Sequence, residues 1–177
     1  MAPSLPPNPP ALWKPHESPY FTISCDASFD INNGLTGVGL ILRDFAGNWK
    51  RCFAKSYAGV ADSERAECLS MYDAVVWCRE MRISHDMFET DLQTIDGFIN
   101  NSSSAIVWEN EDILHDVIHI MKGFPDWKCR FIPRKCNKPA DELAKFGKKF
   151  NVTHVWHDKP PSVIENLLLL DSIYSRY

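Results

Sequence analysis

The sequence lacks the features that mark a membrane protein, a zinc protein or a strongly basic protein. No run approaches the roughly 20 consecutive apolar residues of a membrane span, so we expect no membrane partner. No two cysteines are spaced as C-x2-C, and no histidine cluster completes a zinc site. The net charge of −4 argues against a protein that holds nucleic acid by bulk positive charge.

Basic residues are also missing from one long stretch of the chain. Residues 83–121 contain eight acidic residues and no lysine or arginine. Residues 122–149 contain nine basic and three acidic residues, a net charge of +6. The acidic average therefore hides a basic flank, which predicts weak, salt-sensitive binding to nucleic acid.

The composition is that of one ordinary domain with short extensions. Of the 177 residues 45% are hydrophobic and 24% charged, which suffices for a sizeable core. Seven of the twelve prolines lie in residues 1–19, which we interpret as a flexible arm before a domain at 20–150. The extension at 151–177 carries a leucine run that either packs back on the domain or binds a partner as a helix.

The cellular compartment is predicted from the cysteines and the N-terminal residues. The six cysteines lie in apolar strand-like or helical patterns, as expected of reduced core thiols. The first 19 residues lack the apolar segment of a secretory signal. We therefore expect an intracellular protein of the nucleus or cytoplasm that is not secreted.

The hydrophobic pattern predicts three strands followed by alternating helices and strands. We predict strands at 20–28, 37–43, 49–57, 85–91 and 126–132, and helices at 62–82, 92–100, 106–121 and from Asn137 to Gly147 or Phe150. This order predicts an α/β fold with a five-stranded mixed sheet, three antiparallel strands then two parallel ones, and helices on both faces.

Four acidic residues stand at positions that need an explanation. Asp26 interrupts a strand, and strands are depleted in aspartate. Glu67 shares a helical stripe with apolar residues, although Glu64 is a competing choice one turn earlier. Asp91 ends the fourth strand, and Asp141 lies in the first turn of the last helix.

Each acid also has an ordinary structural explanation. Asp26 would suit a solvent-facing strand position, and Asp91 would suit a helix N-cap. Glu67 and Asp141 would suit first-turn positions, where the helix dipole favours negative charge. The predicted topology nevertheless brings the four to one sheet edge, where they could not all stay ionised without cations. Mg²⁺ prefers such oxygen ligands, and two ions form a clamp for hydrolysis of a phosphodiester.

Three sequence segments then identify a resemblance. Residues 25–29 (CDASF), 42–49 (LRDFAGNW) and 132–145 (IPRKCNKPADELAK) resemble the plant type 1 ribonuclease H-like domains, which are free-standing or retroelement-derived. The match covers about 20–150, and its last segment is the most specific. The resemblance implies the ribonuclease H-like fold and endonucleolytic hydrolysis of the RNA strand of RNA/DNA hybrids, leaving 5′-phosphate and 3′-hydroxyl ends.

The resemblance also implies which residues form the site. Metal ligands and catalytic residues would be Asp26, Glu67, Asp91 and Asp141, holding two Mg²⁺ ions, with Mn²⁺ as a substitute. Substrate contacts would be Ser28, Arg134, Lys135, Asn137 and Lys138. The partner would be the RNA/DNA hybrid, read through its 2′-hydroxyls, and we expect a monomer.

Two departures from the family pattern leave rival hypotheses open. Residues 134–136 contain no histidine before the last aspartate, and residues 83–121 contain no basic handle to grip the hybrid. We therefore predict a reduced rate. One rival is a domesticated module, weakly active or inactive, that binds nucleic acid or protein. The other is an Asp-rich exonuclease.

Overall fold

A computed structural model describes residues 12–101 and 105–174 of the chain. The strands are β1 (Phe21–Phe29), β2 (Thr36–Arg43), β3 (Trp49–Tyr57), β4 (His85–Thr90), β5 (Asp126–Phe131) and β6 (His154–Trp156). The helices are α1 (Ser63–Glu80), α2 (Gln93–Asn101), α3 (Trp108–Met121), α4 (Lys138–Phe150) and α5 (Ser162–Tyr174), with a 3-10 turn at Arg134–Cys136. None of the helices in the described parts of the chain has the length and apolar character needed to cross a membrane.

All six strands form one mixed sheet in the order β5-β4-β1-β2-β3-β6. Strands β1, β2 and β3 pair antiparallel, whereas β1, β4 and β5 pair parallel, as predicted. The prediction of five strands missed β6, which pairs antiparallel with the edge of β3. Three residues are too few to show a strand periodicity, so the pairing depends on the exposed edge that β3 offers.

The two faces of the sheet are covered by different helices. On one face, alternate residues of β2 (Val38, Leu40 and Leu42) join the large core formed with α1, α2 and α3. On the other face, Ile41 of the same strand packs with residues of α4 and α5. This alternation explains why β2 is buried along its whole length and appears in the sequence as a continuous apolar run.

Two glycines of β2 let α4 lie directly on the sheet. A Cβ atom at Gly37 would stand 1.8 Å from the Ala144 carbonyl oxygen, and one at Gly39 would stand 2.3 Å from that of Ala140. Only glycine fits at such separations. Since Gly39 pairs with Asp26 across the β1–β2 ladder, this contact also sets the start of α4 beside Asp26.

The helix ends follow the predictions in part. Asp62 is the N-cap of α1, and its carboxylate accepts a hydrogen bond from the Arg65 amide at 2.7 Å. Asn137 occupies the N-cap position of α4, but its side chain makes no capping hydrogen bond. Helix α4 continues past Gly147 to Phe150 and ends at Asn151, whose φ of 50° is left-handed.

Part of the N-terminal segment is tied to the sheet by four polar residues around one buried carboxylate, the Glu89 cluster (Trp13, Ser24, Glu89 and Arg130). The fully buried Glu89 carboxylate accepts hydrogen bonds from Trp13 Nε1 at 2.7 Å, Ser24 Oγ at 2.6 Å and Arg130 Nε at 2.6 Å. Residues 1–11 of the expected flexible arm lie outside the described residues. The predicted domain boundaries at 20 and 150 stay a prediction.

The C-terminal extension packs back on the domain, which was one of the two alternatives. Ile164 and Leu168 of α5 join the core on the α4 side of the sheet. Asp171 of the same helix accepts a 2.9 Å hydrogen bond from the buried Arg43 guanidinium, which lies 3.9 Å from the centre of the Trp13 ring. The cysteines are confirmed as core residues, since all six are free and buried.

Candidate active site

Three of the four predicted acids meet at one edge of the sheet. Asp26, Glu67 and Asp91 each offer a carboxylate oxygen within 4.8 Å of the others, and we call these three residues the carboxylate cluster. Asp26 is 4% exposed, whereas the other two are half-buried. Within the described residues this is the one group of histidine, cysteine or acidic side chains with the spacing of a metal site.

The register of the sheet explains the convergence. Ser24 of β1 pairs with Glu89 of the parallel strand β4, so Asp26 and Asp91, each two residues further along, reach the same level. This edge holds the carboxyl ends of parallel strands, where α/β proteins build their sites. Glu67 comes from the second turn of α1, which packs against β1.

Burial and mutual repulsion disfavour ionisation of these carboxyls. Burial and the nearby Asp91 charge raise the pKa of Asp26 to about 8. Burial and the Asp26 charge raise the pKa of Glu67 well above its usual range. Burial also raises the pKa of Asp91, against the opposing effect of the Asn137 amide and the Arg134 charge. The protein alone therefore does not hold all three in the ionised form at neutral pH.

Asp141, the fourth predicted acid, stands apart from the other three. It lines the same cavity of about 290 Å³ as Asp26, Ser28, Glu67 and Arg134. However, its carboxylate forms an ion pair with Lys145, one turn further along α4, at 3.0 Å. It is not among the three acids that lie within ligand distance of one another. Its role as a ligand stays a prediction.

Glu64 and Glu67, the two competing choices on α1, make different contacts. Glu64 Oε1 accepts hydrogen bonds from the Val107 amide at 2.9 Å and from Asn110 Nδ2 at 2.8 Å. Glu64 therefore connects α1 to the start of α3. Glu67, in contrast, has a buried oxygen, Oε2, without a hydrogen-bond partner among the described residues.

Only some of the predicted substrate contacts line the carboxylate cavity. Ser28 and Arg134 line the cavity beside Asp26, and Arg134 is exposed. Lys135 and Lys138 are exposed but are not among the residues that line it. Asn137 is 1% exposed, and its side chain faces protein groups. Contact between any of these residues and substrate stays a prediction.

Sequence reasoning missed the position of Asn137 between β1, which carries Asp26, and Asp91, which directly follows β4. Its Nδ2 group donates to the Cys25 carbonyl oxygen at 2.9 Å and to Asp91 Oδ2 at 3.3 Å. Its backbone carbonyl oxygen accepts from the Asp141 amide at 3.1 Å. An asparagine before a helix is an ordinary capping signal, so nothing in the sequence distinguishes this bridging role.

The donor set of the carboxylate cluster fits a hard divalent cation. All three groups are carboxylates, the ligands that Mg²⁺ prefers. Glu67 Oε2 is buried and lacks a hydrogen bond from the described residues, an arrangement that costs free energy unless a cation compensates it. The raised pKa values of Asp26 and Glu67 agree with this, because a cation in their midst would stabilise the ionised forms.

A sequence comparison agrees with this architecture. The family model described as reverse transcriptase-like matches residues 24–147, which include all four predicted acids. No curated protein sequence matches the chain.

Structural comparison gives the fold. RNase H1 from the halophilic archaeon Halobacterium salinarum NRC-1 superposes with a TM-score of 0.68 at 18% identity, over 75% of this chain and 99% of that one. The N-terminal RNase H domain of rv2228c from Mycobacterium tuberculosis gives 0.66 at 14% identity, over 74% and 94%. LC11-RNase H1, isolated from compost, was solved in complex with an RNA/DNA hybrid and gives 0.60 at 18% identity, over 74% and 98%. The predicted ribonuclease H-like fold is thus confirmed, with six strands instead of five.

Proposed function

Because the chain belongs to the reverse transcriptase-like family, we propose that it is a Mg²⁺-dependent endoribonuclease that hydrolyses the RNA strand of RNA/DNA hybrids. The observation that carries the proposal is the carboxylate cluster, three acids from separate elements gathered at one sheet edge. A protein that only binds nucleic acid has no use for a set of carboxyls that repel one another. The products would have 5′-phosphate and 3′-hydroxyl ends.

The chain's own residues supply the frame for this chemistry. Asp26, Glu67 and Asp91 would hold the cations, with Asp141 joining them from the cavity wall. Two Mg²⁺ ions would activate a water molecule and stabilise the charge on the phosphodiester and its leaving oxygen. Asn137 holds the Asp91 carboxylate, so that this ligand does not have to be ordered when a cation binds.

Two residues on the cavity wall would contact the substrate. Arg134 is an exposed cation on the wall that also carries Asp26 and Glu67, a position suited to a phosphate oxygen of the RNA strand. Ser28 lies two residues beyond Asp26 along β1 and lines the same cavity. It would be in reach of a 2′-hydroxyl, the group that distinguishes RNA from DNA.

The proposal is tested with labelled duplexes. RNA/DNA, RNA/RNA and DNA/DNA duplexes of one sequence are incubated with Mg²⁺, Mn²⁺ or EDTA, and the end groups of the products are identified. We expect internal cutting of the RNA strand in the hybrid alone, and only with metal. Absence of metal-dependent cutting by the folded wild type would refute the proposal, and cutting only from the ends would favour an exonuclease.

A second candidate function is a weakly active or inactive ribonuclease H-like module that binds nucleic acid or protein. The specific observation in its favour is the Asp141–Lys145 ion pair, which engages the fourth acid. The absence of a histidine from residues 134–136 agrees with it. Hybrid binding without turnover, unaffected by Asp26→Asn, would support this candidate instead.

The likeness to plant and retroelement-derived members rests on the sequence motifs and stays a prediction. The same holds for the nuclear or cytoplasmic location and for the monomeric state.

A further inference from the structure

We propose that a second cleft, separate from the carboxylate cavity, binds the phosphate backbone of the nucleic acid about three to four base steps from the cutting site. We call it the basic cleft. It has a volume of about 520 Å³, and its lining includes Thr36, Ser56, Tyr57, Lys148, Lys149 and Asn151. The proposal rests on the proposed function, because it assigns to the same substrate a further binding site.

The charge of the basic cleft is positive and uncompensated. Lys148 and Lys149 line it, and no acidic residue does. The other lysine near this end of α4, Lys145, is paired with Asp141 and Glu142. In the described part of the chain neither Lys148 nor Lys149 has an ion-pair partner, and the Lys149 ammonium lies over the exposed ring of Phe150 at 5.3 Å. Two lysines without acidic partners leave their charge available to an anion.

Neutral donors complete the lining. Asn151 accepts a 2.6 Å hydrogen bond from Ser56 Oγ through its Oδ1 atom, which fixes the orientation of the amide. Its Nδ2 group has no acceptor among the residues that the structure describes and stands at the exposed end of α4. An amide N–H beside two ammonium groups matches the donors that proteins direct at phosphate oxygens.

The register of the sheet places the basic cleft at the edge that carries the carboxylate cluster. Asp26 pairs with Gly39, whereas Thr36 in the cleft pairs with Phe29 on one side and Tyr57 on the other. The cleft is thus three residues further along the strands and one to two strands to the side. With about 3.3 Å per residue and about 4.8 Å per strand, the separation from Asp26 is about 11–14 Å.

Helix α4 gives an independent estimate of the same distance. Asp141 in its first turn lines the carboxylate cavity, and Lys148 and Lys149 in its last turn line the basic cleft. Seven or eight residues at about 1.5 Å each span about 11–12 Å. Since phosphates of one strand follow each other at about 3.4 Å along the duplex axis, a duplex with one phosphate at Asp26 would present others to the cleft about three to four steps away.

A competing explanation is that the two lysines only stabilise the negative end of the helix dipole. The proposal and this explanation differ in the salt dependence of binding. The logarithm of the binding constant falls linearly as the logarithm of the salt concentration rises. Removing one lysine that neutralises a phosphate makes this slope shallower by nearly one. A role confined to the helix dipole leaves that slope unchanged.

The test compares two double variants with the same change in net charge. Lys148→Glu/Lys149→Glu alters the basic cleft. Arg51→Glu/Arg79→Glu is the control, since both arginines are exposed at the sheet edge opposite the carboxylate cluster, at the start of β3 and in the last turn of α1, and neither has an ion-pair partner in the described part of the chain. Binding of a short labelled RNA/DNA hybrid is measured in EDTA over a salt series, and Lys148→Gln/Lys149→Gln repeats the test without new negative charge.

We expect the Lys148→Glu/Lys149→Glu variant to bind the hybrid about tenfold or more weakly at low salt, with the slope reduced by about two. The slope of the glutamine variant should fall by the same amount. The control variant should stay within about twofold of the wild type. Equal Kd and slope in the two double variants would overturn the proposal, as would an unchanged slope in the glutamine variant.

Two further measurements keep the conclusions separate. Binding of poly-glutamate is measured beside that of the hybrid, and the Lys148→Gln/Lys149→Gln change should weaken binding of the hybrid more than binding of poly-glutamate; a larger loss for poly-glutamate would make the cleft a site for acidic protein and overturn the proposal. Hydrolysis is assayed separately with Mg²⁺. A wild type that binds through the cleft without cutting refutes the proposed activity alone, whereas one that cuts while the lysine variants bind normally refutes the basic cleft alone.

Discussion

The carboxylate cluster and the Glu89 cluster are neighbours along the chain, since Asp26 follows Ser24 by two residues and Asp91 follows Glu89 by two. The surroundings of their buried acids are nevertheless opposite. The Glu89 carboxylate receives hydrogen bonds from an indole, a hydroxyl and a guanidinium. Asp26 and Glu67 face other acids, and one oxygen of Glu67 has no hydrogen-bond partner in the described parts of the chain. A satisfied buried carboxylate holds elements together, whereas an unsatisfied group of them stores repulsion that a cation can relieve.

The largest effect should follow from Asp26→Asn. Removing one cluster charge should lower hydrolysis of an RNA/DNA hybrid by roughly three orders of magnitude or more, because the cations lose a ligand from the middle of the site. The same change should leave the melting temperature of the metal-free protein equal or higher, since it removes repulsion. Single-turnover kinetics and thermal unfolding in EDTA check the two parts. Retained hydrolysis would contradict the catalytic role of Asp26. A marked loss of stability would contradict the repulsion within the carboxylate cluster.

Glu89→Gln should, in contrast, destabilise the folded protein. The change removes the charge of a buried carboxylate that pairs with the partly exposed Arg130 guanidinium and accepts hydrogen bonds from Trp13 and Ser24, and we expect the free energy of unfolding to fall by about 3 kcal/mol. Urea unfolding measures the change. Glu142→Gln on the surface of α4 is the matched control, with an expected change within about 0.5 kcal/mol. Equal stability of the two variants would show that the Glu89 cluster does not fasten the N-terminal segment.

Asn137→Ala tests the connection between the two strands at the site. Without the Nδ2 donor the Asp91 carboxylate is no longer held in position, and we expect Mn²⁺ to bind about tenfold more weakly. Calorimetric titration of the metal-free protein measures this, with the exposed Asn32→Ala as control. If the melting temperature falls while the affinity for Mn²⁺ is unchanged, Asn137 supports the fold and does not position the ligand.

The last prediction concerns the pH dependence of stability. The pKa of Asp26 is about 8 in the folded protein, above its ordinary value of 3.8, so the folded state binds more protons than the unfolded state between these values. Stability of the metal-free protein should therefore fall as pH rises from about 4 to about 8. Asp26→Asn should flatten this slope, and saturating Mg²⁺ should flatten it in the wild type. Chemical unfolding across this pH range measures the slopes, and parallel slopes in the wild type and Asp26→Asn would contradict the assignment.

Most of the secondary structure could be predicted because each element carries its own periodicity. The apolar run of β2 and the stripe on α1 both follow from the side chains along one element. Strand β6 could not, since its pairing depends on the free edge of β3 and not on its three residues. The end of α4 depended on backbone conformation at Asn151, which the lysines and Phe150 before it do not specify.

The candidate site, too, could be predicted only in part from local sequence patterns. Asp26 and Glu67 could be selected because an acid in a strand or on an apolar stripe conflicts with its local pattern, and Asp91 because it ends a strand at the edge where α/β sites lie. The choice of Glu67 over Glu64 was open until the contacts of Glu64 with α3 were known. The basic cleft had only a general signal, the positive charge of residues 122–149.

The sequence by itself determined the element order, the mixed sheet and which acids lie out of place, because these follow from local pattern and chain direction. Only the tertiary structure decided which acids come within reach of one cation, that Asp141 pairs with Lys145, and that Asn137 joins two strands. The physical reason is that a carboxyl's role depends on its neighbours in space. Glu89 and Asp91 are two residues apart on the chain, and packing alone makes one a structural ion pair and the other a candidate metal ligand.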